Sequence, residues 1–217
     1  MRHYEAVIFD LDGTLLDTSE GIFRSVSYVI ARSNLTPLRE EIMRTFIGPP
    51  IQRSFARVYS LADEDAQKAA AMFRDRYKDH DLLLAKPYEG IIDAMNELRD
   101  AGIKTAVATY KRQDYAEKIL CHFGFDKVTD AICGSDAEGK LTKRDIIENA
   151  IKNLGVTDKK RSVMVGDSDN DAIGAKEIGV DFIGVTYGFG FFCAQDVNEY
   201  DNTGVASSPR DLVGLII

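Results

Sequence analysis

The sequence predicts an α/β fold, a doubly wound parallel sheet with a small all-helical cap inserted after the first strand. Four short runs, Ala6–Phe9 and residues 105–108, 162–165 and 182–185, are apolar without alternation. That is the pattern of strands covered on both faces. Amphipathic stripes with helical spacing lie between them, and strands alternating with helices imply a parallel sheet wrapped by helices. Residues 17–85 break the alternation, because helical patterns occur there with no strand between them.

Taken in order, the first strand runs straight into Asp10-Leu11-Asp12-Gly13-Thr14. Ile22, Val26, Val29 and Ile30 then mark one helix, and Ala66, Ala69, Ala70, Phe73 and Tyr77 mark another. Pro37 and Gly48-Pro49-Pro50 punctuate the interval between them. Lys86-Pro87 returns the chain to the core. The expected division is therefore a core of residues 1–16 and 86–217 and a cap of residues 17–85. Ile91, Ala94, Met95 and Leu98 form a helical stripe stopped near Gly102. Ile147, Ala150, Ile151 and Leu154 repeat that spacing up to Gly155. Residues 131–133 add a further short strand.

Composition narrows the function. The chain has 217 residues, enough for one large domain or a domain with an insertion. A net charge of −8 argues against a nucleic-acid partner and against an anionic membrane surface. Cys121, Cys133 and Cys193 have neither metal-type spacing nor an even disulfide set, so reduced thiols are expected. With no signal-peptide pattern and no apolar run of membrane length, cytoplasmic residence is the expectation. Monomer and homodimer both remain open. His3, His80 and His122 stand far apart and read as surface or packing residues.

The chemistry concentrates where strands end. Asp10 and Asp12 follow an apolar strand, and carboxylates beside a buried strand need compensation. Mg²⁺ is the usual partner of hard anionic oxygens. Asp10 thus reads as a nucleophile or metal ligand, and Asp12 as its proton-transfer partner. Residues 163–171 repeat the arrangement, ending in Gly166-Asp167-Ser168-Asp169-Asn170-Asp171. Asp167, Asp169 and Asp171 have the first spacings of an EF-hand loop, but Ala172 and Ile178 occupy its Gly and Glu positions. An acidic helix start explains one or two of these residues, not a set matched by Asp10 and Asp12. Thr142-Lys143-Arg144-Asp145 reads as a capping box. A cation in the first turn opposes the helix dipole, a placement with a use where an anion docks. No nucleophile elbow or Walker loop is present.

These segments together resemble the haloacid dehalogenase superfamily, and within it the phosphoglycolate phosphatases and their 5′-nucleotidase-like relatives. The first motif is Asp10-Leu11-Asp12-Gly13-Thr14, and the last spans Gly166-Asp167 to Asp171. The strand ending in Thr109, followed by Tyr110 and Lys111, resembles the second motif, with Tyr110 a departure from the usual small or amide residue. Lys143, with Lys140 as the competing candidate, resembles the third. The resemblance implies a Mg²⁺-dependent phosphatase acting on a small phosphorylated metabolite through an aspartyl-phosphate. Asp10 would attack phosphorus, Asp12 would act as acid and base, and Thr109 and Lys143 would hold phosphoryl oxygens. Asp10, Asp167, Asp171 and Asp12, through its backbone carbonyl, would hold the metal. Tyr110 and Lys111 are substrate-binding candidates, and cap arginines such as Arg44 or Arg53 are candidates for a substrate carboxylate. Alternatives are a phosphosugar mutase sharing the first step and a non-catalytic binding module on the same fold.

Overall fold

The computed structural model describes residues 4–217. His3 lies outside the described residues. A six-stranded parallel sheet forms the centre of the molecule, in the order β5-β4-β1-β6-β7-β8. Its strands are β1 (Ala6–Phe9), β4 (Lys104–Arg112), β5 (Ala131–Ser135), β6 (Ser162–Gly166), β7 (Asp181–Val185) and β8 (Gly204–Ala206). The four apolar runs and the segment at 131–133 are all strands. The edge strand β8 has no apolar run to announce it.

Side chains alternate between two cores. Val7, Phe9, Val107, Val163, Val165 and Ile183 point to one face. There they meet α5 (Ile91–Asp100), α6 (Gln113–His122) and α9 (Pro209–Ile216). Ala6, Ile8, Ala106, Ala108, Met164 and Phe182 point to the other, against α7 (Lys143–Asn153) and α8 (Asp169–Ile178). Burial on both faces is why these strands carry no polar alternation. The periodic apolar residues of α5 and α7 are all buried, and each helix ends just before its expected glycine.

A second, two-stranded sheet pairs β2 (Leu16–Asp17) antiparallel with β3 (Lys86–Pro87). Between these strands lie α1 (Ser19–Arg32), α2 (Glu40–Arg44), α3 (Ile51–Tyr59) and α4 (Asp63–Arg76). A wide π-type turn, Tyr77–Asp81, extends α4. The periodic stripes mark α1 and α4. The shorter α2 and α3 lie around the Gly48-Pro49-Pro50 break; α3 carries a short stripe of Ile51, Phe55, Val58 and Tyr59 that packs in the core. Asp81 is buried in this insertion and takes hydrogen bonds from Ser25 (2.9 Å) and Arg76 (2.8 Å). Among the described residues, no helix is long and apolar enough to cross a membrane.

Register sets the position of the chemistry. Phe9 is level with Val107 on β4 and with Val165 on β6. Asp10 therefore leaves the sheet beside the carboxyl ends of both neighbours, and its N–H still bonds to Val165 O at 2.9 Å. The order reverses direction around β1, so the crevice beyond these strand ends is the expected ligand site of an open α/β sheet.

Candidate active site

Three carboxylates meet in that crevice. Asp10, Asp167 and Asp171 are buried, and each offers an oxygen within 4.8 Å of the others. Such a group can hold a divalent cation. Asp10 follows β1, Asp167 follows β6, and Asp171 lies in the first turn of α8. One Asp171 oxygen caps that helix, accepting from Ser168 N (3.1 Å) and Ser168 Oγ (2.7 Å). The other, Oδ1, sits 2.6 Å from Lys143 Nζ. Lys143 Nζ also lies 2.6 Å from Asp10 Oδ1.

The electrostatics follow from this crowding. Burial pushes the Asp10 carboxyl well above the usual carboxylate range; Lys143 pulls it back, while Asp171, Asp167 and Asp12 push it further up. Burial also raises Asp167, to about 7, reinforced by Asp171 and opposed by the Phe189 and Gly190 N–H groups and Lys143. Burial alone would lower Lys143, but Asp10 and Asp171 outweigh it and the net shift is upward. One ammonium thus faces three closely spaced acids, a deficit of positive charge that a divalent cation would correct.

Asp12 stands apart from this group. Its Oδ1 accepts from Thr18 Oγ1 (2.6 Å) and pairs with Lys111 Nζ (3.0 Å). Lys111 in turn donates to the Tyr77 hydroxyl at 3.1 Å, across to the helical insertion. The Lys111 side chain is buried, at 6% exposed. The reason is that β4 continues three residues beyond Thr109, with a register irregularity between Ala108 and Arg112.

The remaining expected residues are placed as follows. Thr109 is buried and its Oγ1 accepts from Lys111 N at 3.1 Å, which leaves its hydroxyl proton to donate. The Tyr110 hydroxyl accepts from Lys143 N at 3.0 Å, satisfying a free N–H of the first turn of α7. The Thr142–Asp145 capping box is formed. Lys140 is exposed and pairs with Glu138 at 3.4 Å, so Lys143 is the lysine in the site. Asp169 is exposed and bonds to Asn170, away from the carboxylate group. Arg44 is held by Glu40 at 2.9 Å, and Arg53 is exposed.

Sequence reading missed the loop after β7. Phe189 N and Gly190 N donate to Asp167 Oδ2 at 2.7 and 3.2 Å. The alternating glycines of Tyr187-Gly188-Phe189-Gly190 are the signal for it, since glycine marks close backbone approach. A Cβ on Gly188 would collide with Asp167 and with the carbonyl of Gly13. Gly13, at φ +87°, lies in the left-handed region, and a Cβ there would also strike Asp167. Thr18 and Tyr77 were missed as well, because no local pattern ties them to Asp12.

Two recesses open onto the site. A cavity of about 90 Å³ is walled by Asp12, Lys111, Tyr110 and Arg112 from the core and by Phe46, Gln52, Arg74 and Tyr77 from the insertion. A wider cleft of about 710 Å³ includes Asp167, Asn170, Phe189, Arg44 and Arg57.

Residues 7–185 match the family described as haloacid dehalogenase-like hydrolase. The chain is 36% identical over 188 residues to a 5′-nucleotidase of Pseudomonas aeruginosa, covering 86% of this chain and 85% of that one. It is 36% identical over 189 residues to a phosphoglycolate phosphatase of Agrobacterium fabrum, covering 84% and 80%. Among solved structures, a predicted phosphatase from Clostridium acetobutylicum superimposes with a TM-score of 0.92 at 35% identity, covering 99% and 98%.

Proposed function

Because the chain belongs to the haloacid dehalogenase-like hydrolase family and falls among its phosphatases, we propose that it is a Mg²⁺-dependent phosphomonoesterase working through an aspartyl-phosphate on Asp10. The observation that carries this is the carboxylate group Asp10–Asp167–Asp171 with Lys143 seated between two of its members. The donors fit Mg²⁺: they are hard carboxylate oxygens, buried and closely spaced. The backbone carbonyl of Asp12 is a further ligand candidate. When bound, the metal would supply charge neutralisation for the phosphoryl group.

In the first step an Asp10 carboxylate oxygen attacks phosphorus, and the bond to the ester oxygen breaks. That oxygen takes a proton from the Asp12 carboxyl as the alcohol leaves. In the second step water gives a proton to Asp12 and attacks phosphorus. The bond to Asp10 breaks and inorganic phosphate is released. Thr109 donates its hydroxyl proton to a phosphoryl oxygen, and Lys143 balances the negative charge that Asp10 carries in and out. Asp12 is ion-paired to Lys111 in this structure, the state suited to accepting a proton; its role as acid requires substrate to reorganise that pair. The helical insertion acts as a cap that excludes bulk water.

The substrate is a small phosphorylated metabolite, phosphoglycolate-like or a nucleotide, and neither nucleic acid nor membrane is a partner. Free Cys121, Cys133 and Cys193 are compatible with a reducing cytoplasm. The test is hydrolysis of p-nitrophenyl phosphate with Mg²⁺, followed by EDTA and by Asp10→Asn. Phosphate release that both treatments abolish supports the proposal, whereas release indifferent to either removes it.

A further inference from the structure

The cavity on the Asp12 side is unusually cationic for a protein of net charge −8. Lys111, Arg112 and Arg74 all line it. The first two have acids of their own: Lys111 pairs with Asp12, and Arg112 with Asp114. Arg74, projecting from α4 of the helical insertion, has no carboxylate partner among the described residues. Its one side-chain hydrogen bond goes to Gln52 Oε1 on α3, at 3.0 Å. Gln52 lines the same cavity and is backed by Gly139, where a Cβ would crowd the Gln52 amide at 2.7 Å.

A guanidinium partly removed from water, with most of its donors unspent, is unfavourable without an anion to meet it. Burial and the nearby Arg112 cation both hold Arg74 below its usual range, with Tyr115 opposing. Of the remaining walls, Asp12 is the one acid and is paired with Lys111, while Phe46, Phe73, Tyr77 and Tyr115 carry no charge. The cavity adjoins the residue that protonates the departing oxygen, so it receives the leaving group rather than the transferred phosphoryl. The Lys111, Arg112 and Arg74 side chains that line it suit an anionic group on that leaving group.

We propose that Arg74, oriented by Gln52, is the specificity-determining residue of this enzyme and selects phosphomonoesters whose leaving group carries a second anionic group. The inference rests on the phosphomonoesterase reading and sharpens it. It moves the role expected of Arg44 or Arg53 to Arg74, because Arg44 is neutralised by Glu40 and Arg53 lines neither recess. A carboxylate and a second phosphate share the chemistry that would satisfy a planar guanidinium fork.

The test compares kcat/KM for 2-phosphoglycolate, inorganic pyrophosphate and ethyl phosphate in wild type, Arg74→Met and Arg74→Lys. The comparison is the anionic-to-neutral substrate ratio and how it changes between variants, which cancels intrinsic reactivity. For the anion that is recognised, R74M lowers that ratio by about tenfold to a hundredfold, the size of one charge-assisted bond. R74K lies between, because it keeps the charge but loses the fork. The pyrophosphate and phosphoglycolate arms tell which anion is read. Should R74M fail to yield folded enzyme, Arg74→Gln reads the same ratio. If R74M lowers all three substrates by the same factor, Arg74 is structural and the proposal fails while the phosphatase reading stands. If wild type turns over no phosphate ester, both fail together.

Discussion

The site holds two buried lysines in different ways. Lys143 sits between Asp10 and Asp171, at 2.6 Å from each, and both partners come from the strand ends and helix starts of the core. Lys111 has one partner in the core, Asp12 at 3.0 Å, and one in the helical insertion, the Tyr77 hydroxyl at 3.1 Å. The first arrangement depends only on the core, on sheet register and on where α7 and α8 begin. The second depends also on where the insertion sits over the sheet. The proposed nucleophile is thus held within the core, and the proposed proton-transfer residue is tied through Lys111 to the helical insertion.

The contrast can be broken most severely at the nucleophile. Asp10→Asn should lower kcat/KM for p-nitrophenyl phosphate by about 10⁴-fold or more, as loss of a covalent catalyst does. Residual activity within tenfold of wild type would show that Asp10 is not the attacking group. Lys143→Met comes next. It leaves two buried carboxylates without their cation, and breaking a buried pair in this way costs about 3–5 kcal/mol. Urea denaturation should show that loss in the metal-free protein. An unchanged midpoint would mean that the core half does not depend on Lys143.

Tyr77→Phe probes the other half. It deletes only the hydroxyl that Lys111 donates to, so stability should fall by about 1 kcal/mol. Activity should fall by less than tenfold, through Asp12 rather than Asp10. A loss as large as that of K143M would erase the distinction between the two lysines.

The smallest expected effect is a pH dependence. Asp167 is raised to about 7 by burial, from the usual 3.8. Between those values the folded, metal-free protein binds more protons than the unfolded chain, so its stability falls as pH rises. Mg²⁺ binds the ionised acids, so its stabilisation should grow across the same window. Thermal melts at pH 5 and pH 7.5, with EDTA and with Mg²⁺, should show a gap of a few degrees that widens with pH. A constant gap would exclude coupling of the metal to these acids.

How much of this was legible depended on how local each signal was. Asp10, Asp167 and Asp171 could be read because an apolar run ending in acids is a contiguous pattern, and parallel register brings such ends together. Lys143 was legible through its capping box. The Asp12–Thr18 bond and the Lys111–Tyr77 bond were not, since Tyr77 lies 34 positions from Lys111 and only packing makes them neighbours. Strand β8 was hidden because its three residues, Gly204 to Ala206, gain order from pairing with β7 rather than from hydrophobicity. Arg74 was passed over because a helix arginine gives no sign in sequence of lacking an acid.

The direct test of covalent capture is acid-quenched mass spectrometry of the enzyme during turnover of a phosphate ester with Mg²⁺. The peptide carrying Asp10 should gain one phosphoryl group, released by hydroxylamine and absent from D10N. Phosphorylation of a serine, threonine or histidine instead, or turnover with no phosphorylated peptide at any quench time, would contradict it.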